Sequence, residues 1–216
     1  MDSAAFYLKH QTVADLRANM EPLVQLYFIQ QNFSKICDLA TTLTDATILN
    51  TLLVKKTYAN DHAWTSYRFG EAFYHQRDLQ RAINYYKKAV DLAPYVLDFK
   101  NKYGTTLAAK GLLAEAEKTF KDILVEHPKH VSAITNLGYV KLSQGKANEA
   151  EQLYAKALSL DPDYEAALLN MAGLYAYQKN YKKAELYLNK LLKRNPTNQQ
   201  ADRKSTRLNS SHANVS

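Results

Sequence analysis

The sequence predicts an all-α fold, a solenoid of stacked helix pairs, and three observations predict it. A proline recurs every 34 residues, at Pro94, Pro128, Pro162 and Pro196. Small residues keep the same interval, with Gly70, Gly104, Gly138 and Ala172 at one phase and Ala82, Ala116, Ala150 and Ala184 at another. Glycine and proline are otherwise scarce, 6 and 5 copies in 216 residues, which leaves few turns for a β fold. A fixed period near this length marks helix pairs that bury their core against neighbouring repeats. Such an array offers a surface to partners and lacks a closed reaction centre.

The elements follow in chain order. Residues 1–62 form a helical cap, a degenerate repeat, or the tail of a preceding domain. Helices are expected near 4–18, 21–31, 34–44 and 46–58, the last opened by Asp45 as N-cap. Within this part, 17–50 reads as a degraded unit: it has no closing proline, and Val24 and Ile36 stand where small residues are expected. Four clear units then tile without a gap, at 63–96, 97–130, 131–164 and 165–198. Each splits into a helix A and a helix B. In the third, helix A carries Ala133, Ile134, Leu137 and Val140, and helix B carries Ala150, Leu153, Tyr154, Ala157 and Leu158 at helical spacing. Between them Ser143-Gln144-Gly145-Lys146 makes a short turn, with Gly145 available for a left-handed C-cap. Pro162 ends helix B and lets the next helix begin.

The small residues have a steric reason, because antiparallel helices approach closely only where side chains are small. A glycine inside a helix costs about 0.5–1 kcal/mol relative to alanine, so its recurrence requires a packing gain. Phe69, Tyr103, Leu137 and Met171, with Tyr86, Phe120, Tyr154 and Leu188, are the expected core knobs.

Residues 199–216 comprise a truncated capping helix and a tail. Gln199-Gln200-Ala201 begins another helix A. Asp202–His212 then resembles one translated reading frame of a common short-read sequencing adapter, and the tail is left out of fold reasoning. The native protein is expected to continue past this point, which would leave Leu188 and Leu191 short of cover. Without Asp202–Ser216, 25 basic and 20 acidic residues remain, and the formal charge falls from +7 to +5.

The residues match a family pattern. Phe69-Gly70, Ala82, Tyr86, Ala89 and Pro94 in the first unit resemble the tetratricopeptide repeat (TPR), as do Leu137-Gly138, Ala150, Tyr154, Ala157 and Pro162 in the third. The other units depart modestly, with Ile123 and Leu191 at an alanine position and Ala172 at the glycine. The resemblance implies a right-handed α-α superhelix in which the A helices line a concave, ligand-binding groove. Transferred to this chain, the groove positions are Trp64, Tyr67, Glu71, Tyr74 and His75, then Asn101, Thr105 and Ala109. They continue with Ser132, Thr135 and Tyr139, and end with Leu169, Gly173, Ala176 and Tyr177. The set is aromatic and uncharged-polar, which suits peptide recognition. Family members that grip chaperone carboxylate tails place Lys and Asn on the first helix A. Here Tyr67 and Glu71 stand there, Glu71 would repel a carboxylate, and a carboxylate clamp is not expected.

The implied function is a non-enzymatic scaffold that binds a partner protein or peptide in the groove. The alternative is an accessory region of a larger enzyme, a glycosyltransferase, kinase or multihaem cytochrome, of which this is a fragment. No cofactor or metal is expected. His127 and His130 flank a proline turn with no cysteine nearby, and read as solvated loop. There is no Gly-rich phosphate loop, no haem-attachment motif and no Ser/His/acid arrangement. The lone Cys37 reads as a small apolar filler. Lys182, Lys183, Lys190, Lys193 and Arg194 read as the outer face of a helix B, so nucleic acid is not an expected partner. No stretch is apolar enough for a membrane span. Compartment and partner identity stay open.

Overall fold

The computed structural model describes residues 13–43 and 59–213. Among them are eleven helices and no strand, in line with the all-α expectation. None of these helices is long and apolar enough to cross a membrane. The chain divides into two compact units, one ending at Leu112 and the other beginning at Leu113. The first holds α1 (Val13–Ile29), α2 (Phe33–Leu43), α3 (Ala59–His75), α4 (Leu79–Leu92) and α5 (Leu97–Ala109). The second holds α6 (Leu113–Glu126), α7 (Val131–Ser143), α8 (Ala147–Leu160), α9 (Glu165–Tyr177), α10 (Tyr181–Arg194) and α11 (Gln199–Ala213).

The N-terminal expectation needs correction. Separate helices at 4–18 and 21–31 are replaced by the single α1, which runs through Pro22. Proline inside a helix removes one backbone hydrogen bond. What offsets the loss is a buried face, Met20, Val24 and Tyr27, packed against Ile36, Leu39 and Ala40 of α2. Val24 and Ile36, the bulky replacements for small residues, are both fully buried. The expected start near residue 4 and the helix over 46–58 with its Asp45 cap lie outside the described residues.

One backbone device joins helix A to helix B. Gln31, Arg77, Gly111, Gly145 and Lys179 all have positive φ, between 53° and 87°. In each case the next residue's N–H reaches back five residues and the left-handed residue's own N–H reaches back three, as in Asn32 to Tyr27 and Gln31 to Phe28. This is the Schellman closure, which satisfies carbonyls left open at a helix end. The α1–α2 pair therefore turns as the later pairs do. The residue after the left-handed position often opens the next helix as well. Asp78 accepts from the Arg81 N–H at 3.0 Å, Asn32 from Lys35 and Asn180 from Lys183, both at 3.3 Å. Gly145 takes this conformation with φ +79° and nothing within 4 Å of an added Cβ. Gly145→Ala is thus expected to cost about 1 kcal/mol through backbone strain alone, read as a lower urea midpoint with an unchanged m-value.

The recurrent glycine meets an aromatic ring. A Cβ on Gly70 would lie 2.6 Å from Cδ1 of Tyr86, and one on Gly138 would lie 2.6 Å from Cε1 of Tyr154. Both tyrosines are fully buried, so each ring lies directly against the helix A backbone. In the fourth repeat the pair becomes Ala172 and Leu188, again buried in one cluster.

The second unit also holds an ion cluster around one buried cation. Lys141, near the end of α7, bonds Glu117 of α6 at 2.9 Å and Glu149 of α8 at 3.0 Å. Glu117 also meets Lys121 at 2.7 Å and accepts from Gln144 Nε2 at 2.8 Å. Hydrogen bonds from Lys121, then Lys141 and Gln144, hold the Glu117 carboxyl down at about 2, below its ordinary 4.5. A depressed carboxylate stabilises the fold above its unfolded value and loses that contribution as pH falls toward the folded one. Stability is therefore expected to drop from about pH 4.5 toward about 2, and Glu117→Gln to flatten that limb in acid-unfolding curves.

The helix that begins at Gln199 extends into the stretch left out of fold reasoning: α11 runs from Gln199 through Ala213. Leu188 and Leu191 do not lack cover: both are buried, in a cluster that includes the fully buried Ala201 of α11.

Candidate functional site

Helices α3 and α5 build the A-helix face of the first unit. Trp64 is 41% exposed. Its ring stands edge-on to Phe99 at 4.8 Å and to Tyr67 at 5.6 Å. Tyr67 stacks on Phe99 at 5.1 Å, and Phe99 itself is fully buried. Burial and the neighbouring Glu71 carboxylate raise the Tyr67 hydroxyl above the ordinary tyrosine range.

Glu71, expected on the groove, turns its carboxylate into the core. It is buried, accepts a hydrogen bond from the Tyr86 hydroxyl and pairs with Lys102 Nζ at 3.0 Å. Tyr74 lies on the same helix and is exposed. His75 stacks on Phe33 of α2 at 4.1 Å, nearly parallel. Asn101 and Thr105 are half-buried. The Thr105 hydroxyl donates to the Lys102 carbonyl at 2.9 Å.

In the second unit the candidates also divide. Thr135 is buried and its hydroxyl donates to the Val131 carbonyl. Leu169 is half-buried, and its carbonyl accepts from Lys204 Nζ at 3.4 Å. Tyr139 and Tyr177 are exposed, Tyr177 by 80%. Trp64 and Tyr67 are thus brought together in one unit, while Glu71 and Thr135 point inward.

Two features escaped the sequence. Lys102 neutralises Glu71 across two helices; 102, 136 and 170 share a phase, but only this copy is a lysine. The other is an open cleft of about 760 Å³ in the first unit, lined by Cys37 and Thr41 of α2, by Arg77 and Arg81, and by Lys110. It depends on the placement of α2, outside the 34-residue phase. The Arg81 guanidinium lies 4.4 Å over the Phe73 ring and bonds Asp78 at 2.5 Å. Burial pushes the Cys37 thiol up to about 11, so it stays protonated at neutral pH and is a poor nucleophile. Among the described residues no three His, Cys, Asp or Glu side chains gather as a metal site. His130 instead caps α7, its Nδ1 accepting from the Ala133 N–H at 3.1 Å.

The Tetratricopeptide repeat family profile matches residues 73–137 and 141–208, together more than half the chain. No curated protein matches. Among solved structures, a thermophilic TPR protein of Thermus thermophilus shares 18% identity at a TM-score of 0.66, covering 89% of this chain and 98% of its own. The pilF protein of Pseudomonas aeruginosa shares 20% at 0.62, covering 94% and 87%. YrrB, a TPR protein with an unusual peptide-binding site, shares 18% at 0.57, covering 91% and 98%. At these identities the likeness establishes the fold.

Proposed function

Because the chain belongs to the tetratricopeptide repeat family, whose repeats are scaffolds for protein–protein interaction, we propose that it binds a partner protein or peptide through the A-helix faces of its two units and catalyses no reaction. One observation carries this reading: large aromatic side chains stand exposed on A helices. They are Trp64 and Tyr74 in the first unit, and Tyr139 and Tyr177 in the second. Exposed Trp and Tyr provide large contact area with a polar tip, and such residues dominate binding energy at interfaces. Of the other candidates on these helices, Glu71 and Thr135 are buried, and Asn101, Thr105 and Leu169 are half-buried. The peptide-binding site of YrrB is a precedent on the same fold.

The test is a titration against a partner recovered by affinity capture with the whole chain. Tyr139→Ala, or Trp64→Ala, is expected to weaken binding by about tenfold or more with far-UV circular dichroism unchanged. Unaltered affinity in both variants would remove these faces from the interaction.

A further inference from the structure

The first unit carries a ring corner more specific than a generic interaction face. Trp64 and Tyr67 sit one helical turn apart on α3, with planes at 76° and centroids 5.6 Å apart. Both rest on Phe99, which is fully buried and fixes them from behind. We propose that this corner binds proline-rich segments in the polyproline II conformation, an inference that rests on the A-helix reading above.

Three physical arguments favour this partner. A helix spends its backbone N–H and C=O groups on itself, so the corner has no main-chain ladder to offer a bound strand. An ordinary peptide laid there would bury N–H groups without partners, whereas proline has none to lose. The rings are held in place before any ligand arrives, and a polyproline II segment is already extended, so ordering costs little on both sides. Charge points the same way. The acid beneath the corner, Glu71, is compensated by Lys102 at 3.0 Å and by the Tyr86 hydroxyl. A strongly charged peptide therefore gains little there. The exposed Asp98, in the first turn of α5, favours a basic flank over an acidic one.

The chain contains a single tryptophan, so Trp64 emission reports on this corner directly. The probe is a peptide of about eight prolines ending in lysine, compared with a Gly/Ser peptide and an amphipathic helical peptide of similar length. The expected result is a saturable emission change with the proline peptide and none with the Gly/Ser control. By calorimetry, Trp64→Leu should weaken binding about tenfold or more and Trp64→Phe, which keeps a ring, by less, while Leu186→Ala, on the exposed face of the helix B α10, leaves it unchanged. If the proline peptide leaves Trp64 emission flat while the helical peptide shifts it, the polyproline inference is overturned and the A-helix reading stands. If neither peptide acts and Trp64→Ala also leaves the captured partner's affinity intact, both fall for this unit.

Discussion

Tyr154→Ala is expected to lower the stability of the chain by about 3–5 kcal/mol, the largest single loss foreseen. The ring is fully buried between α7 and α8 and lies against the Gly138 backbone. The surrounding helices cannot refill that volume, because Gly138 presents no side chain and Ala150 and Ala157 are the small neighbours on α8. The hydroxyl contributes nothing favourable: it is buried without a hydrogen-bond partner. Tyr154→Phe is therefore expected to be neutral or stabilising, since it removes a desolvated polar atom. Its counterpart Tyr86 donates to Glu71, so Tyr86→Phe should be destabilising. Urea unfolding followed by far-UV circular dichroism reads all three. A loss below about 1 kcal/mol for Tyr154→Ala would show that the ring is not a core knob.

Gly138→Ala is the second large effect, and here two terms compete. Alanine is the better helix former by about 0.5–1 kcal/mol. Its Cβ, however, would sit 2.6 and 2.9 Å from two ring carbons of Tyr154 and 3.3 Å from Cβ of Leu153. Overpacking of this kind costs about 1–3 kcal/mol, so the net change is a loss of about 1–2 kcal/mol. The fourth repeat supplies the control within the same chain, where Ala172 faces a helix B bearing Leu188. In a Tyr154→Leu background, Gly138→Ala should become neutral or stabilising. A double-mutant cycle with no coupling between the two sites would separate the glycine from the ring.

Much of this was legible in the sequence. The prolines, the glycine phase and the Gly145 turn are local rules repeated in register, and each repetition reinforces the others. The α1–α2 pair was harder to see. It shares the backbone turn, but Gln31 rather than glycine occupies the left-handed position, and large Val24 and Ile36 replace the small contacts. The break expected between residues 18 and 21 is absent, because α1 runs through it without interruption. Among the candidate site residues, phase located the A-helix face but not each side chain's direction. Glu71 shares a phase with Tyr139, yet one is buried and the other exposed. The difference is a partner, Lys102, that no periodicity announces.

The A-to-B turns carry a consequence for how such a chain can grow. Where Asn32, Asp78 or Asn180 finishes one coil and starts the next, there is no slack residue between them. Adding one amino acid would swing everything downstream by about 100° around the following axis, so length is free to change only by whole copies or somewhere else. Gln31 and Arg77 stand 46 positions apart, against 34 for each later neighbour, so the first interval alone departs from the whole-copy rule.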